Sequence, residues 1–573
     1  MTKKFLSFFN KYQKKSLFFL FIIMSFSTIL EMVGLGFIFS IVGVLNPDII
    51  QSNLFINKLK IFFSLKTNEI ISYLLIIFFL FYLLKIIFLT FYNWYESKFL
   101  YSYKEYLSSK VFKEYLNQNF SYFYNRNTSE LIRNLMTEVD QFSLYLVSIL
   151  KLILETIVVI GIFCILAYVN FYFTILISIV FLFFSSIYFF LVKEKLNIWG
   201  KQRQTNQQKR LQFMQEGFDG IKIIKLLGRE NFFFSKYKIY NVHLAKIAMK
   251  AHILQGIPRL LFELVGISFI TFALLILYYS GSSLVEITQI LSVYVAASFR
   301  ILPSVNRIVS SLQFMKLSYP AMDVLHNELK NFKKVDNTIN EKFSFNKDIF
   351  IDIKSFKYPT SNNFEISNVK INILKGQKIG IIGPSASGKS TIVEILTGIS
   401  DKPLGNITVD GKSIYSNIKG WQKLIGFVPQ KIFILDESLR NNILFGLDKK
   451  KFQDSEIVSM IKKLSLEKLL KRLPGGLDGS LGEEGINLSG GEIQRIGLCR
   501  ALIYDPEVLF LDEATSSLDV DTESQILDEL EAFDKKTIIS IAHRINTLKN
   551  CDKIYRFDNG SVVDEGNFNR FKL

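Results

Sequence analysis

Cysteine is scarce in this chain: 573 residues contain three, Cys164, Cys499 and Cys551, far apart in sequence. Such spacing excludes a disulfide framework and any cysteine-rich zinc pattern, and it predicts structural thiols. Acidic residues are also short, 51 Asp and Glu against 68 Lys and Arg, for a formal net charge of +17. No nucleic-acid motif accompanies the excess, so a nucleic-acid partner is not expected; a membrane protein with basic cytosolic segments accumulates the same surplus. Low-complexity tracts are lacking. No small-residue cleavage pattern follows the first apolar run, which therefore reads as retained rather than as a secretory signal, and no peptidase-like segment precedes it.

What the chain has in quantity is apolar length. It is 49% hydrophobic and carries 55 phenylalanines, and nearly all the long apolar runs fall in the first ~320 residues. Crossing a bilayer takes about 20 apolar residues. Six stretches qualify, roughly 17–45, 70–92, 144–168, 171–192, 257–280 and 284–305. Lys3, Lys4, Lys11, Lys14 and Lys15 precede the first, and 93–143 and 193–256 are long and basic, whereas the connections near 168–172 and 280–286 are short and carry no Lys or Arg. Both termini are therefore expected in the cytosol. The long cytosolic segments keep helical periodicity, so the spans are expected to continue beyond the lipid. Two pieces midway along them, 127–142 and 214–230, are candidate helices touching a soluble domain.

Residues 326–347, "HNELKNFKKVDNTINEKFSFNK", are polar with little periodicity and read as a linker. After them the pattern changes. "KIGIIGPSASGKSTIVEIL" passes from a short β-branched strand through a Gly-rich turn into a helix, and "EVLFLDEA" is a buried strand ending in two acids. The expected fold class is thus an α-helical transmembrane domain of six spans (1–325), the linker, and an α/β phosphate-loop domain with a parallel sheet (348–573).

The chemistry lies in "GPSASGKS", Gly383 to Ser390. Glycines let backbone N–H groups approach phosphate, the following helix N-terminus favours anions, Lys389 reaches the terminal phosphates and Ser390 can ligate Mg2+. Gly383, Pro384, Ser385, Ala386, Ser387, Gly388, Lys389, Ser390 and Thr391 are accordingly the expected ATP-binding run. Val508 to Leu511 deliver Asp512 and Glu513 to a sheet edge, which suits one acid beside the metal and one beside an attacking water.

Between these lies "NLSGGEIQR", 487–495, and with it the soluble half resembles the nucleotide-binding domain of ATP-binding cassette (ABC) transporters. "LSGGE" looks like their signature, with Glu492 in place of the usual Gln. The other motifs fall in order: Tyr358, Gln430 in "FVPQ", "GEEG" at 482–485, "SSLD" ending at Asp519, and His543 in "IAHR". The resemblance implies that Tyr358 stacks on adenine, that Glu513 is the general base and His543 contacts the γ-phosphate, that Gln430 links the metal site to the membrane half, and that Ser390, Gln430 and Asp512 surround Mg2+. It implies also that Ser489, Gly490 and Gly491 close the ATP site of a second copy, so that one cassette with six spans forms a homodimer. The membrane half resembles the six-helix exporter type, whose coupling helices match 127–142 and 214–230 in position.

Four basic residues bear on cargo: Lys85, Arg259, Arg300 and Arg307. In a straight helix Arg300 and Arg307 share a face about 10 Å apart, with Pro303 between them. Ionisable groups inside spans usually face a cavity or the protein interior, and arginine suits phosphate by paired hydrogen bonds. For Arg259 and Arg307, close to cytosolic ends, snorkelling to the interface is an equal reading. "FRILPSVNRIVSSLQFM" and "EMVGLGFIFSIVGVL" resemble bacterial lipid-linked oligosaccharide flippases. That implies a polyprenyl-pyrophosphate glycan as cargo in the bacterial inner membrane and an external amphipathic helix at 53–65; another anionic lipid, such as a lipid A precursor, or an amphipathic drug is the alternative.

Overall fold

The computed structural model describes residues 2–44, 67–124, 126–169, 171–279, 284–332, 343–358, 364–486, 488–514, 525, 536–542 and 544–571. The chain divides into two compact units, Met1–Gln118 with Arg126–Lys333, and Asn119–Asn125 with Lys334–Leu573.

The first unit is built from long helices: α1 (Lys11–Val44), α2 (Thr67–Leu116), α3 (Val139–Val169), α4 (Phe171–Asp219), α5 (Glu230–Tyr279) and α6 (Leu284–Asn331). Runs of Phe, Leu and Ile leave no competing turn signals, and a helix is the one open structure that satisfies its own backbone in lipid. Among the described residues, five helices are long and apolar enough to cross a membrane. The sixth expected span lies at the start of α6, where most side chains fall outside the described residues, as does 53–65. The helices are longer than a membrane crossing needs, as expected: α2 has 50 residues, about 75 Å of helix against a hydrocarbon core of about 30 Å. α6 runs to Asn331, so the start of the segment read as linker is helical.

Polar groups inside this unit are tied to one another. Pro258 sits within α5 and has no N–H to offer the carbonyl of Leu254 four residues back. Tyr188 of α4 donates its hydroxyl to that carbonyl at 2.5 Å, and Gln313 of α6 donates Nε2 to the same oxygen at 3.1 Å and to the Tyr188 hydroxyl at 3.1 Å. Three helices thus meet on one backbone oxygen. A second knot lies where a π-helical turn, Asn134–Glu138, precedes α3. Glu138 is fully buried and accepts from Gln204 at 2.8 Å and Arg203 at 3.1 Å, with Arg133 at 3.8 Å. Buried charge persists only when paired in this way. Of the region 127–142, expected to touch the soluble domain, Ser129, Arg133, Asn134 and Glu138 are buried in the first unit; Asn119–Asn125, which include the short helix Ser121–Tyr124, belong to the second. The other candidate, 214–230, contains a short helix, Ile221–Leu227, ended by Gly228 at φ 61, with Ile223 and Leu226 exposed.

In the second unit, β1 (Asp348–Phe356), β2 (Ile366–Leu374), β4 (Leu404–Val409) and β5 (Lys412–Ser413) form an antiparallel sheet ordered β2-β1-β4-β5. β3 (Lys378–Ile382), β6 (Ile425–Val428), β7 (Val508–Asp512), β8 (Thr537–Ile541), β9 (Lys553–Asp558) and β10 (Ser561–Gly566) form the other, ordered β10-β9-β3-β8-β7-β6. All its neighbours are parallel except β10, which pairs antiparallel with β9. α7 (Lys389–Leu396) buries Ile392, Val393, Ile395 and Leu396 in one core with strands of both sheets. Phe345 belongs to that core, and the Asp410 carboxylate accepts from the backbone N–H groups of Asn346, Lys347 and Asp348. α8 (Gly490–Leu502) packs in a separate core with Val428, Leu509 and Leu511. Cys499 is buried there, and burial pushes the Cys551 thiol up to about 12, in keeping with structural rather than reactive thiols.

The Leu254 carbonyl yields a test. Tyr188→Phe with Gln313→Leu removes both donors and is expected to lower the thermal midpoint of the detergent-solubilised protein, by about 1–2 kcal/mol of stability. Pro258→Ala added to that background restores an N–H and recovers most of the loss. Absence of recovery would show that the midpoint depends on packing rather than on the carbonyl.

Candidate active site

Loop, strand end and helix start converge on one cavity of about 470 Å³, lined by Ser385, Ala386, Gly388, Lys389, Ser390, Thr391, Gln430, Glu513 and Phe364. The loop after β3 takes its shape from two glycines. A Cβ on Gly383 would lie 2.2 Å from the Phe557 carbonyl oxygen, and Gly388 at φ 102 would drive one to 2.5 Å from Ile366. No other residue fits either place.

Lys389 opens α7 and folds back over the loop, donating to the carbonyls of Gly383 at 3.0 Å and Pro384 at 2.9 Å. Burial holds its ammonium below the usual range, against the pull of the Glu513 and Asp512 carboxylates. Asp512 shifts the other way: burial, then the neighbouring Glu513 charge, raises its pKa. Ser390 donates to Asp512 at 3.3 Å. β7 would carry Glu513 to the face opposite Asp512 if the strand continued. It does not continue: Glu513 sits at φ 49, in the left-handed region, and its carboxylate accepts from Gln430 Nε2 at 2.5 Å.

These residues fit a nucleotide and a hard cation. The Ser387 hydroxyl is buried with no hydrogen-bond partner in the loop, and Lys389 holds loop carbonyls that a phosphate oxygen can replace as its acceptor. Ser390 and Asp512 would offer the oxygen donors that Mg2+ takes, alongside substrate phosphates and retained waters.

Among the remaining expected residues, His543 and Asp519 lie outside the described residues. Ser489 is the N-cap of α8: its hydroxyl accepts from the Glu492 N–H at 3.3 Å while the Glu492 carboxylate accepts from the Ser489 N–H at 2.8 Å and pairs with Arg472 at 3.0 Å. Glu492 thus does the structural work of the usual Gln. Ser489, Gly490 and Gly491 are not among the residues lining the phosphate cavity. Gly490 lines a second cavity of about 440 Å³ with Ile432, Ile493 and Gln494, and Gln430 lines both. Tyr358 is also not in the phosphate-cavity lining; its hydroxyl donates to Glu394 of α7 at 2.8 Å. Phe364, which does line the cavity, was not expected, and nothing in its local pattern marks it.

The basic residues of the first unit are dispersed. Lys85 Nζ lies 4.8 Å from the Tyr82 ring centroid, and Arg259 is exposed on α5. Arg307 pairs with the buried Glu155 of α3 at 2.9 Å while its own side chain stays 46% exposed. The Arg300 side chain lies outside the described residues.

With this geometry in place, the comparisons with known proteins are direct. The family profile "ABC transporter transmembrane region" matches residues 17–302 and "ABC transporter" matches 366–516. The chain belongs to the ABC transporters, as an exporter-type protein with membrane and ATPase domains fused, and it couples ATP hydrolysis to transport across a membrane. It is 28% identical over 488 residues to the heterocyst differentiation ATP-binding protein HepA of Nostoc sp., covering 81% of this chain and 76% of that one. It is 30% identical over 354 residues to the ATP-dependent lipid A-core flippase of Aliivibrio fischeri, 61% of this chain and 60% of that one. Its fold matches the solved structure of a bacterial Atm1-family ABC exporter with ATP bound, with TM-score 0.79 at 20% identity over 98% of this chain and 96% of that one.

Glu513→Gln keeps shape and the contact to Gln430 but removes the carboxylate, the candidate general base. ATP binding is expected to persist and ATP turnover to fall by about 10²-fold or more, measured as steady-state phosphate release. Wild-type turnover in this variant would remove Glu513 from that role.

Proposed function

We propose that the chain works as a homodimer in the bacterial inner membrane, with its ATPase domains in the cytosol, and flips an amphipathic lipid whose head carries phosphate. The first cargo on this reading is a polyprenyl-pyrophosphate-linked oligosaccharide. The observation that carries the anionic cargo is the placing of Lys85, Arg259 and the half-exposed Arg307 on three separate long helices. Glu155 takes one edge of the Arg307 guanidinium; its fork of five donors leaves others for a phosphate.

The ATP site supports the two-copy reading. Within one chain the phosphate cavity lacks Ser489 and Gly491 among its lining residues, so a second copy supplies the signature face. Lys389 and the loop N–H groups hold the phosphates, and Glu513, oriented by Gln430, takes the proton of the attacking water; His543 and Asp519 complete the site on this reading. Ser390 and Asp512, with Gln430, would hold Mg2+, which would supply charge neutralisation at the phosphates. Tyr358 provides the aromatic face for the base.

A second cargo, a lipid A precursor or another amphipathic molecule, is favoured by a different fact. The Glu155 carboxylate cancels the Arg307 charge locally, which weakens selection for a doubly charged pyrophosphate, and two of the flippase relatives are named for lipid A-core.

ATP-dependent translocation in proteoliposomes separates these. Movement of a polyprenyl-pyrophosphate oligosaccharide that is absent with Glu513→Gln and reduced by Arg300→Ala with Arg307→Ala supports the first cargo. Intact ATPase with no movement of that lipid, but movement of lipid A, selects the second.

A further inference from the structure

The short segment Asn119–Asn125 follows α2 in the chain, yet it belongs to the second compact unit. Two side chains anchor it there. Ser121 donates to Asp401 at 3.0 Å, and Tyr124 donates to Glu394 Oε2 at 2.6 Å. Glu394 lies on α7, five residues beyond Lys389, and the same oxygen accepts the Tyr358 hydroxyl at 2.8 Å. Two phenols therefore share one carboxylate oxygen. The rings meet as well: Tyr124 and Tyr358 are 5.0 Å apart at 73°, and Phe356 packs on Tyr358 at 5.1 Å and 81°. Burial pushes the Tyr358 phenol up to about 12 and raises that of Tyr124 too, so both stay protonated and both donate.

This arrangement engages Tyr358 on several sides. Its hydroxyl is committed to Glu394, its ring to two aromatic neighbours, and it is not among the residues lining the phosphate cavity. A base that stacks on this ring competes with part of this set.

We propose that Glu394 and Tyr124 form a clasp on Tyr358, so that stacking of the base opens the clasp and loosens the seat of residues 119–125. The proposal rests on the reading of Tyr358 as the base platform. Glu394 and Tyr124 are then positioning residues: they set the affinity for the base through Tyr358 without touching nucleotide. Because 119–125 continue covalently into α2 on one side and the helix Thr128–Arg133 on the other, occupancy of the base site is felt by the membrane helices through the backbone.

The clasp makes an unusual demand on sign, since removing a contact must tighten binding. In the full-length protein carrying Glu513→Gln, to stop hydrolysis, ATP and inorganic triphosphate are titrated in parallel. Tyr358→Phe, which keeps the ring and removes the hydroxyl, and Glu394→Met, which removes the acceptor, are each expected to tighten ATP about three- to tenfold, the net scale of one ordinary hydrogen bond. Triphosphate, having no base, binds unchanged. The two substitutions combined give little more than either alone, because they break the same bond. Tyr124→Ala also tightens ATP.

Tyr358→Leu distinguishes the failures. If it weakens ATP while Tyr358→Phe and Glu394→Met leave ATP affinity unchanged or weaker, the clasp is overturned and the platform stands. If Tyr358→Leu has no effect on ATP either, the platform reading falls and takes the clasp with it. Parallel changes for ATP and triphosphate mean a general disturbance of α7, and that too overturns the clasp.

Discussion

A backbone or side-chain polar group removed from water must find another partner, and the architecture of this transporter is arranged around that demand. In the first unit it appears at Leu254, whose carbonyl loses its helical donor to Pro258 and recruits Tyr188 and Gln313 from two other helices. It appears again at Glu138, whose buried carboxylate gathers Arg203 and Gln204 beside a π-helical turn. The aliphatic surfaces of these helices have little preference for one another over lipid. The polar knots therefore fix which helix lies against which.

The same demand shapes the ATPase site, with a different outcome. Lys389 satisfies itself on two loop carbonyls, Ser390 on Asp512, and Glu513 on Gln430. None of these partnerships is indispensable to the fold, because each joins a group that phosphate, cation or water can satisfy equally well. In the membrane unit these bonds lock positions; in the nucleotide site they hold a charged cavity in shape with partners that a ligand can replace.

Much of this was legible in the sequence. Apolar length marked the spans, and the strand-turn-helix pattern around 383–390 marked the loop, because those features are local and the physics acts over one or two turns. The paired acids at 512 and 513 were legible as a strand end, although the positive φ of Glu513 was not. What escaped notice depends on long-range partners. Arg307 reads as a lone cation until Glu155, 152 positions earlier, is placed beside it. The segment that joins the soluble unit is only a few residues from the expected one, and what distinguishes Tyr124 from its neighbours is a carboxylate 270 positions away. Likewise Glu492 looks like a departure from the family pattern until its helix cap and Arg472 are seen.

α2 is 50 residues long and contains neither glycine nor proline. Kinks in helices arise almost always at such residues or at π-bulges and intruding groups, so this helix behaves as a stiff beam. A beam of about 75 Å has no point at which a displacement of its Leu116 end can be absorbed before it reaches the Thr67 end. Small rotations are enlarged along it: a tilt of about 3° about one end carries the other through about 4 Å over that length. Three residues past Leu116 the chain enters the seat of Tyr124. The length that exceeds a membrane crossing is thus a lever arm, along which a small rotation at one end becomes a displacement of several ångströms at the other.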